Sequence, residues 1–171
     1  IGLASLAADD FDNRVAIDSE IVLSDGGLWE STSRIRDITL SADGGVVLAS
    51  RSFFNNTNHG FDWLDLRDPT LLQVSSINTD GAIVQAAFGA DAAQVFTLNA
   101  VGTLDLWDMT RELLYLRLPL RDPTETFWQA PEGFLVSPDP SQVLAWSVMA
   151  GMWLWDLQNP DTPTYLPYIY N

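Results

Sequence analysis

Three short passages fall into register at a spacing of 48 residues. Ser41-Ala42-Asp43, Gly89-Ala90-Asp91 and Ser137-Pro138-Asp139 each follow one apolar run and precede another. The runs that follow are Val46-Val47-Leu48, Val95-Phe96-Thr97-Leu98 and Val143-Leu144-Ala145-Trp146. A second landmark recurs downstream as Leu64-Asp65-Leu66-Arg67-Asp68, Leu104-Asp105-Leu106-Trp107-Asp108 and Trp153-Leu154-Trp155-Asp156. A fixed period of this size means that one supersecondary unit is repeated and that neighbouring units bury each other's apolar faces.

The unit is built of short strands. Turn residues interrupt the chain every few positions, among them Asp25-Gly26-Gly27, Asp43-Gly44-Gly45, Asp80-Gly81, Asp122-Pro123 and Pro138-Asp139-Pro140. Between them lie apolar or β-branched runs of a strand's length. Thr110 to Leu118 comes nearest to a helical period, and it falls where an outer strand belongs. Three units follow: strands at 35–40, 46–50, 61–66 and 71–75; at 83–88, 94–98, 103–107 and 113–118; and at 132–136, 143–147, 152–155 and 164–168. Ahead of them, 1–6, 14–18, 20–23 and 28–32 read as a worn, compact fourth unit. Four short strands per unit at this period indicate an all-β β-propeller of four-stranded antiparallel blades. The chain is a single array of about four blades, cut near 1–33, 34–78, 79–122 and 123–171. So few blades form a partial ring, or one that another chain completes. Runs apolar on both faces, such as Met152-Trp153-Leu154-Trp155, fit a blade packed between two others, and most of the 7 tryptophans have that wedge-filling role.

Charge narrows the partners. The chain carries 23 acidic residues against 8 basic ones, all arginine, for a net charge of −15. Such a surface repels phosphate backbones and disfavours nucleic acid; a protein partner, and a basic one in particular, suits it better. The same charge also serves solubility. No apolar run has the length of a membrane helix, so no membrane insertion is expected; the sequence does not fix the compartment, with the cytoplasm slightly favoured. There is no cysteine, which excludes disulfides, thiolate catalysis and cysteine-ligated metal centres.

The repeat resembles the WD-repeat family. Leu106-Trp107-Asp108 and Leu154-Trp155-Asp156 are similar to the end of that family's third strand, and Ser41-Ala42-Asp43-Gly44 and Ser137-Pro138-Asp139 to its turn between first and second strands. The resemblance spans about Ile35 to Tyr168. The family's Gly-His pair is missing, Arg67 takes the tryptophan's place in the first repeat, and Thr97 with Trp107 and Ser147 with Trp155 are the pairs left to keep part of its internal hydrogen-bond network. The resemblance implies a rigid, non-enzymatic scaffold or sensor module that binds proteins on its ends and rim, within a larger protein or complex. It also implies seven or eight blades in a full ring, so open blade faces here invite a partner or self-association.

The segment Phe53-Phe54-Asn55-Asn56-Thr57-Asn58-His59-Gly60-Phe61 is the one clear irregularity. It lengthens the first repeat by about seven residues between its second and third strands. Asn55, Asn56, Asn58, His59 and Phe61 are the candidate binding residues, a donor-rich run between aromatics in a loop that projects from one end; a tolerated surface insertion is the plain alternative. Asn56, Asn58 and Asp62 have calcium-loop spacing, but no acidic residue opens it. No catalytic residues, no metal and no cofactor are assigned. A Ser-His-Asp arrangement would need His59, with no nucleophile elbow beside it. Asp65 and Asp105 read as equivalent positions of the repeat and hence as architecture. A hydrolase propeller with an end-face site and a purely structural subunit of a large complex are the alternative readings.

Overall fold

The computed structural model describes residues 20–22, 28–30, 34–52, 59–68, 73–120, 130–147 and 151–167. A two-stranded pair, β1 (Glu20–Val22) with β2 (Leu28–Glu30), precedes three four-stranded antiparallel sheets. The first holds β3 (Arg34–Leu40), β4 (Val46–Ser52), β5 (His59–Asp65) and β6 (Gln73–Thr79). The second holds β7 (Ile83–Phe88), β8 (Gln94–Asn99), β9 (Thr103–Asp108) and β10 (Leu113–Pro119). The third holds β11 (Gly133–Val136), β12 (Gln142–Ser147), β13 (Gly151–Asp156) and β14 (Thr164–Leu166). Each sheet is a meander in which consecutive strands are neighbours. The described residues are all-β, as expected, and the segment from Thr110 resolves into a turn and β10. The strands expected at 1–6 and 14–18 lie outside the described residues.

The 48-residue period is a set of repeated hydrogen bonds. The amides of Ser41, Gly89 and Ser137 donate to the carbonyls of Val46, Gln94 and Gln142, each at 2.9 Å. A second set ties the two hairpin turns of each sheet together: Leu66 to Gly45 at 2.8 Å, Met109 to Ala93 at 2.7 Å and Leu157 to Ser141 at 2.8 Å. Gly44 occupies the first of these turns at φ 69°, a conformation glycine adopts without the Cβ penalty.

The strand register corrects the alignment of the first repeat. Val46 pairs with Asp65, Gln94 with Asp108 and Gln142 with Asp156. Asp65, not Asp68, therefore matches Asp108 and Asp156, and Asp62, not Asp65, matches Asp105. Leu64 stands where Trp107 and Trp155 stand, so the residue in the tryptophan's place is Leu64 rather than Arg67. The slip is of three residues, and it arises because β5 begins at His59, ahead of its expected start. The β4–β5 connection, residues 53–58, is six residues long against three at 100–102 and at 148–150, so the expected excess of about seven is too large.

The sheets stack face to face, and β7 lies against both β3 and β11. Between the first and second sheets, Leu48 and Phe61 are buried with Ile83, Ala86, Val95, Trp107 and Met109, and the Phe61 and Trp107 rings meet edge to face at 5.7 Å. Between the second and third, Phe96, Leu98, Leu104 and Leu106 are buried with Phe134, Val143, Ala145, Trp153 and Trp155. Polar contacts fix these two junctions: Trp63 Nε1 donates to the Ala92 carbonyl at 2.8 Å, and Gln85 bonds both backbone groups of Phe134.

Within the first sheet the close approach of β6 to β5 requires a glycine. The Ile77 carbonyl oxygen occupies the space a Cβ on Gly60 would take. Gly60→Ala is expected to cost about 2–3 kcal/mol by forcing the β5–β6 pairing apart, read as a lower midpoint in urea unfolding.

Candidate functional site

The meander places two connections of every sheet at one end: β3–β4 with β5–β6, β7–β8 with β9–β10, and β11–β12 with β13–β14. Among the described residues these turns and the strand ends feeding them carry nine carboxylates and two arginines. Each repeat builds its turns with the same aspartates. Asp43, Asp91 and Asp139 accept from the amides two residues ahead, Gly45 at 3.0 Å, Ala93 at 3.0 Å and Ser141 at 3.3 Å. Asp65, Asp108 and Asp156 do likewise with Arg67 at 2.9 Å, Thr110 at 3.0 Å and Gln158 at 2.9 Å. A carboxylate that caps its own turn in this way is fixed in position.

The acidities follow from these bonds. The Ser41 hydroxyl, the Gly45 amide and then Arg67 hold the Asp43 carboxyl down to about 2. The Thr110 hydroxyl lowers Asp108, and the Ser137 and Ser141 hydroxyls lower Asp139. For all three the folded value lies below the unfolded one. Their stabilisation is therefore complete above the unfolded carboxylate range and is lost as pH falls toward the folded values. Asp62 is opposite: burial raises it, against the Ser76 hydroxyl and Arg51, so its contribution is present at low pH and is lost as pH rises through the raised value. The melting temperature is expected to fall as pH drops below the ordinary carboxylate range toward about 2, where Asp43 protonates. Asp43→Asn should flatten that fall in circular-dichroism melts; an unchanged profile would contradict the assignment.

A second polar group, absent from the sequence reading, sits at the opposite end of the second sheet. Asp105 is fully buried. Arg117 clamps it through Nε and Nη2, both at 2.8 Å, and Asn99 Nδ2 donates to it at 2.9 Å. Arg117 Nη1 reaches Asp80 at 2.6 Å, and these bonds raise the arginine's pKa. In the first sheet the equivalent Asp62 pairs with Arg51 at 2.9 Å and accepts from Ser76 at 2.7 Å. In the third, Trp153 fills that position and packs on Tyr165. Both aspartates are bound to arginines within their own sheets, an architectural role.

The structure divides the expected binding residues. Asn55, Asn56 and Asn58 lie outside the described residues. His59 opens β5 opposite Thr79 and is half-buried; its Nδ1 is buried with no hydrogen-bond partner among the described residues. Phe61 is not a loop residue. It lies inside β5, wholly buried against Trp107, and its assignment to a recognition loop is corrected to core packing. Asp62, in the calcium-like spacing, is likewise inside β5 and engaged by Arg51. The expected Thr97–Trp107 pair is formed at 2.9 Å. Ser147 does not match Thr97: the register puts Ala145 there, which has no hydroxyl to offer Trp155.

Among the described residues, no group of three or more His, Asp or Glu side chains is placed to hold a metal ion, and no helix is long and apolar enough to cross a membrane.

No family model matches the sequence, and no curated protein matches it. Among solved structures the chain is similar to Kuenenia stuttgartiensis hydrazine synthase, with a TM-score of 0.60 at 14% identity. The match covers 75% of this chain and 42% of that one, so this chain spans less than half of the neighbour's length. At this identity the likeness is one of fold. Solved chains with a matching fold number 370, and a fold so widely used does not name an activity.

Proposed function

We propose that the chain is a propeller-like array of about four WD-like blades, with boundaries near 34, 79 and 123, and that it works as a non-enzymatic protein-interaction module. One observation carries the reading: each repeat sets aspartates at the same turns of the same end and fixes them by bonds to its own backbone. Asp43, Asp65 and Asp108 also give their second oxygen to Arg67 or Arg111, so the rigid acidic surface offers a partner's cations chiefly Asp91, Asp139 and Asp156, which pair with no arginine among the described residues. Positioned like charge of this kind raises the on-rate and selectivity of a basic protein. The WD-like landmarks point the same way, toward partner binding at an end of the array.

Two experiments test it. A basic partner captured by the immobilised chain should dissociate as salt is raised, because the Debye length shortens to about 3 Å at 1 M. Screens of the pure chain against glycoside, ester and peptide substrates should show no turnover. Hydrolysis abolished by changing His59 or an end-face aspartate would replace this reading with that of a hydrolase.

A further inference from the structure

The third sheet has one face that nothing in the described structure covers. The register identifies it. Leu48, Trp63 and Phe61 of the first sheet match Phe96, Leu106 and Leu104 of the second, and Leu144, Leu154 and Met152 of the third. In the first two sheets this face is buried by the sheet that follows. In the third it is open, with Leu135 61%, Met152 41% and Leu166 45% exposed. They lie on three different strands and form one surface with Leu144, Trp146 and Leu154.

We propose that this face receives a further four-stranded sheet of the same repeat. The approaching side of that sheet would carry the pattern that closes both existing junctions, a β-branched residue and a tryptophan as at Val95 with Trp107 and Val143 with Trp155. The inference rests on reading the chain as a stacked array, and it extends a series of two established interfaces by one step.

Area and the far end of the stack argue against a free second copy. Four strands about 4.8 Å apart and six residues of about 3.3 Å each give a footprint of roughly 400 Å². A stable pair of free proteins needs about 800 Å² on each side. A sheet held in the same array is not bound by that limit, because its local concentration is already high. A copy docking head to tail would have to offer the opposite face of its first sheet, and Ile35, Val47, Ala49 and Leu64 there are already buried.

The test is a chain extended after Asn171 by a second copy of residues 121–167. The added sheet should raise the melting temperature in a single transition by roughly 5 °C or more and suppress binding of an apolar dye. Leu135→Glu with Met152→Glu, both at exposed positions, should leave the unextended chain folded and cancel the gain in the extended one. A gain that survives the two glutamates, or no gain at all, overturns the proposal. So does a dimer of the unextended chain, seen by light scattering, that Met152→Glu converts to monomer, because the occupant is then a second copy. Binding of basic partners at the acidic end is a separate readout, so loss of one reading leaves the other standing.

Discussion

Trp155→Ala is expected to cost about 3–5 kcal/mol, the range for emptying a large buried aromatic site. Trp155 is 1% exposed and lies in the cluster that joins the second sheet to the third, with Phe96, Phe134 and Trp153. The side chain is a wedge between two sheets, and the large neighbours Phe96, Phe134 and Trp153 hold the sheets apart when it is removed. The cavity therefore stays open, which puts the cost at the upper part of the range. For a chain of this length the melting temperature should fall by roughly 8–20 °C. Tyr115→Ala is the control: Tyr115 is 70% exposed, and its loss should change stability by less than about 0.5 kcal/mol. Similar effects from the two variants would mean that the second and third sheets do not share a core.

Asp105→Ala should cost about 3 kcal/mol for a different reason, since breaking a buried ion pair leaves its partners uncompensated. The variant leaves Arg117 without its clamp and Asn99 Nδ2 with only the Thr103 hydroxyl to donate to. The arginine keeps Asp80 and some solvent, which holds the effect below the extreme. Asp105→Leu combined with Arg117→Leu should recover most of the loss, because an apolar pair of similar volume replaces an ion pair at little cost. If urea unfolding places the double variant below the single one, the pair is contributing net stability instead.

How far the sequence reached depended on what each residue's neighbours could reveal. The second sheet was legible almost to the residue: its turns are short, so Asp91 and Asp108 bracket β8 and β9 at a fixed distance. The first sheet was not. Leu64-Asp65-Leu66-Arg67-Asp68 offers two aspartates with similar surroundings, and only the pairing of Val46 with Asp65 chooses between them. The same early start of β5 took Phe61 out of the loop and into the core. The buried ion pairs were illegible because Arg51 and Arg117 meet their aspartates across strands, a register-dependent contact that a linear pattern does not display. The acidic end was legible in part: the repeated aspartates were recognisable as turn residues and repeat landmarks, but their bonds to the turn amides and their gathering on one end follow from the meander.

The central claim is that the acidic turn end recognises a basic protein surface. The most direct measurement is a fluorescence-anisotropy titration of a lysine- and arginine-rich peptide library with the intact chain at increasing salt, repeated with Asp139→Asn and Asp156→Asn together. The account predicts saturable binding that weakens as salt rises and weakens again in the double variant. Binding that ignores both salt and the two aspartates, or no binding to any basic sequence, would contradict it.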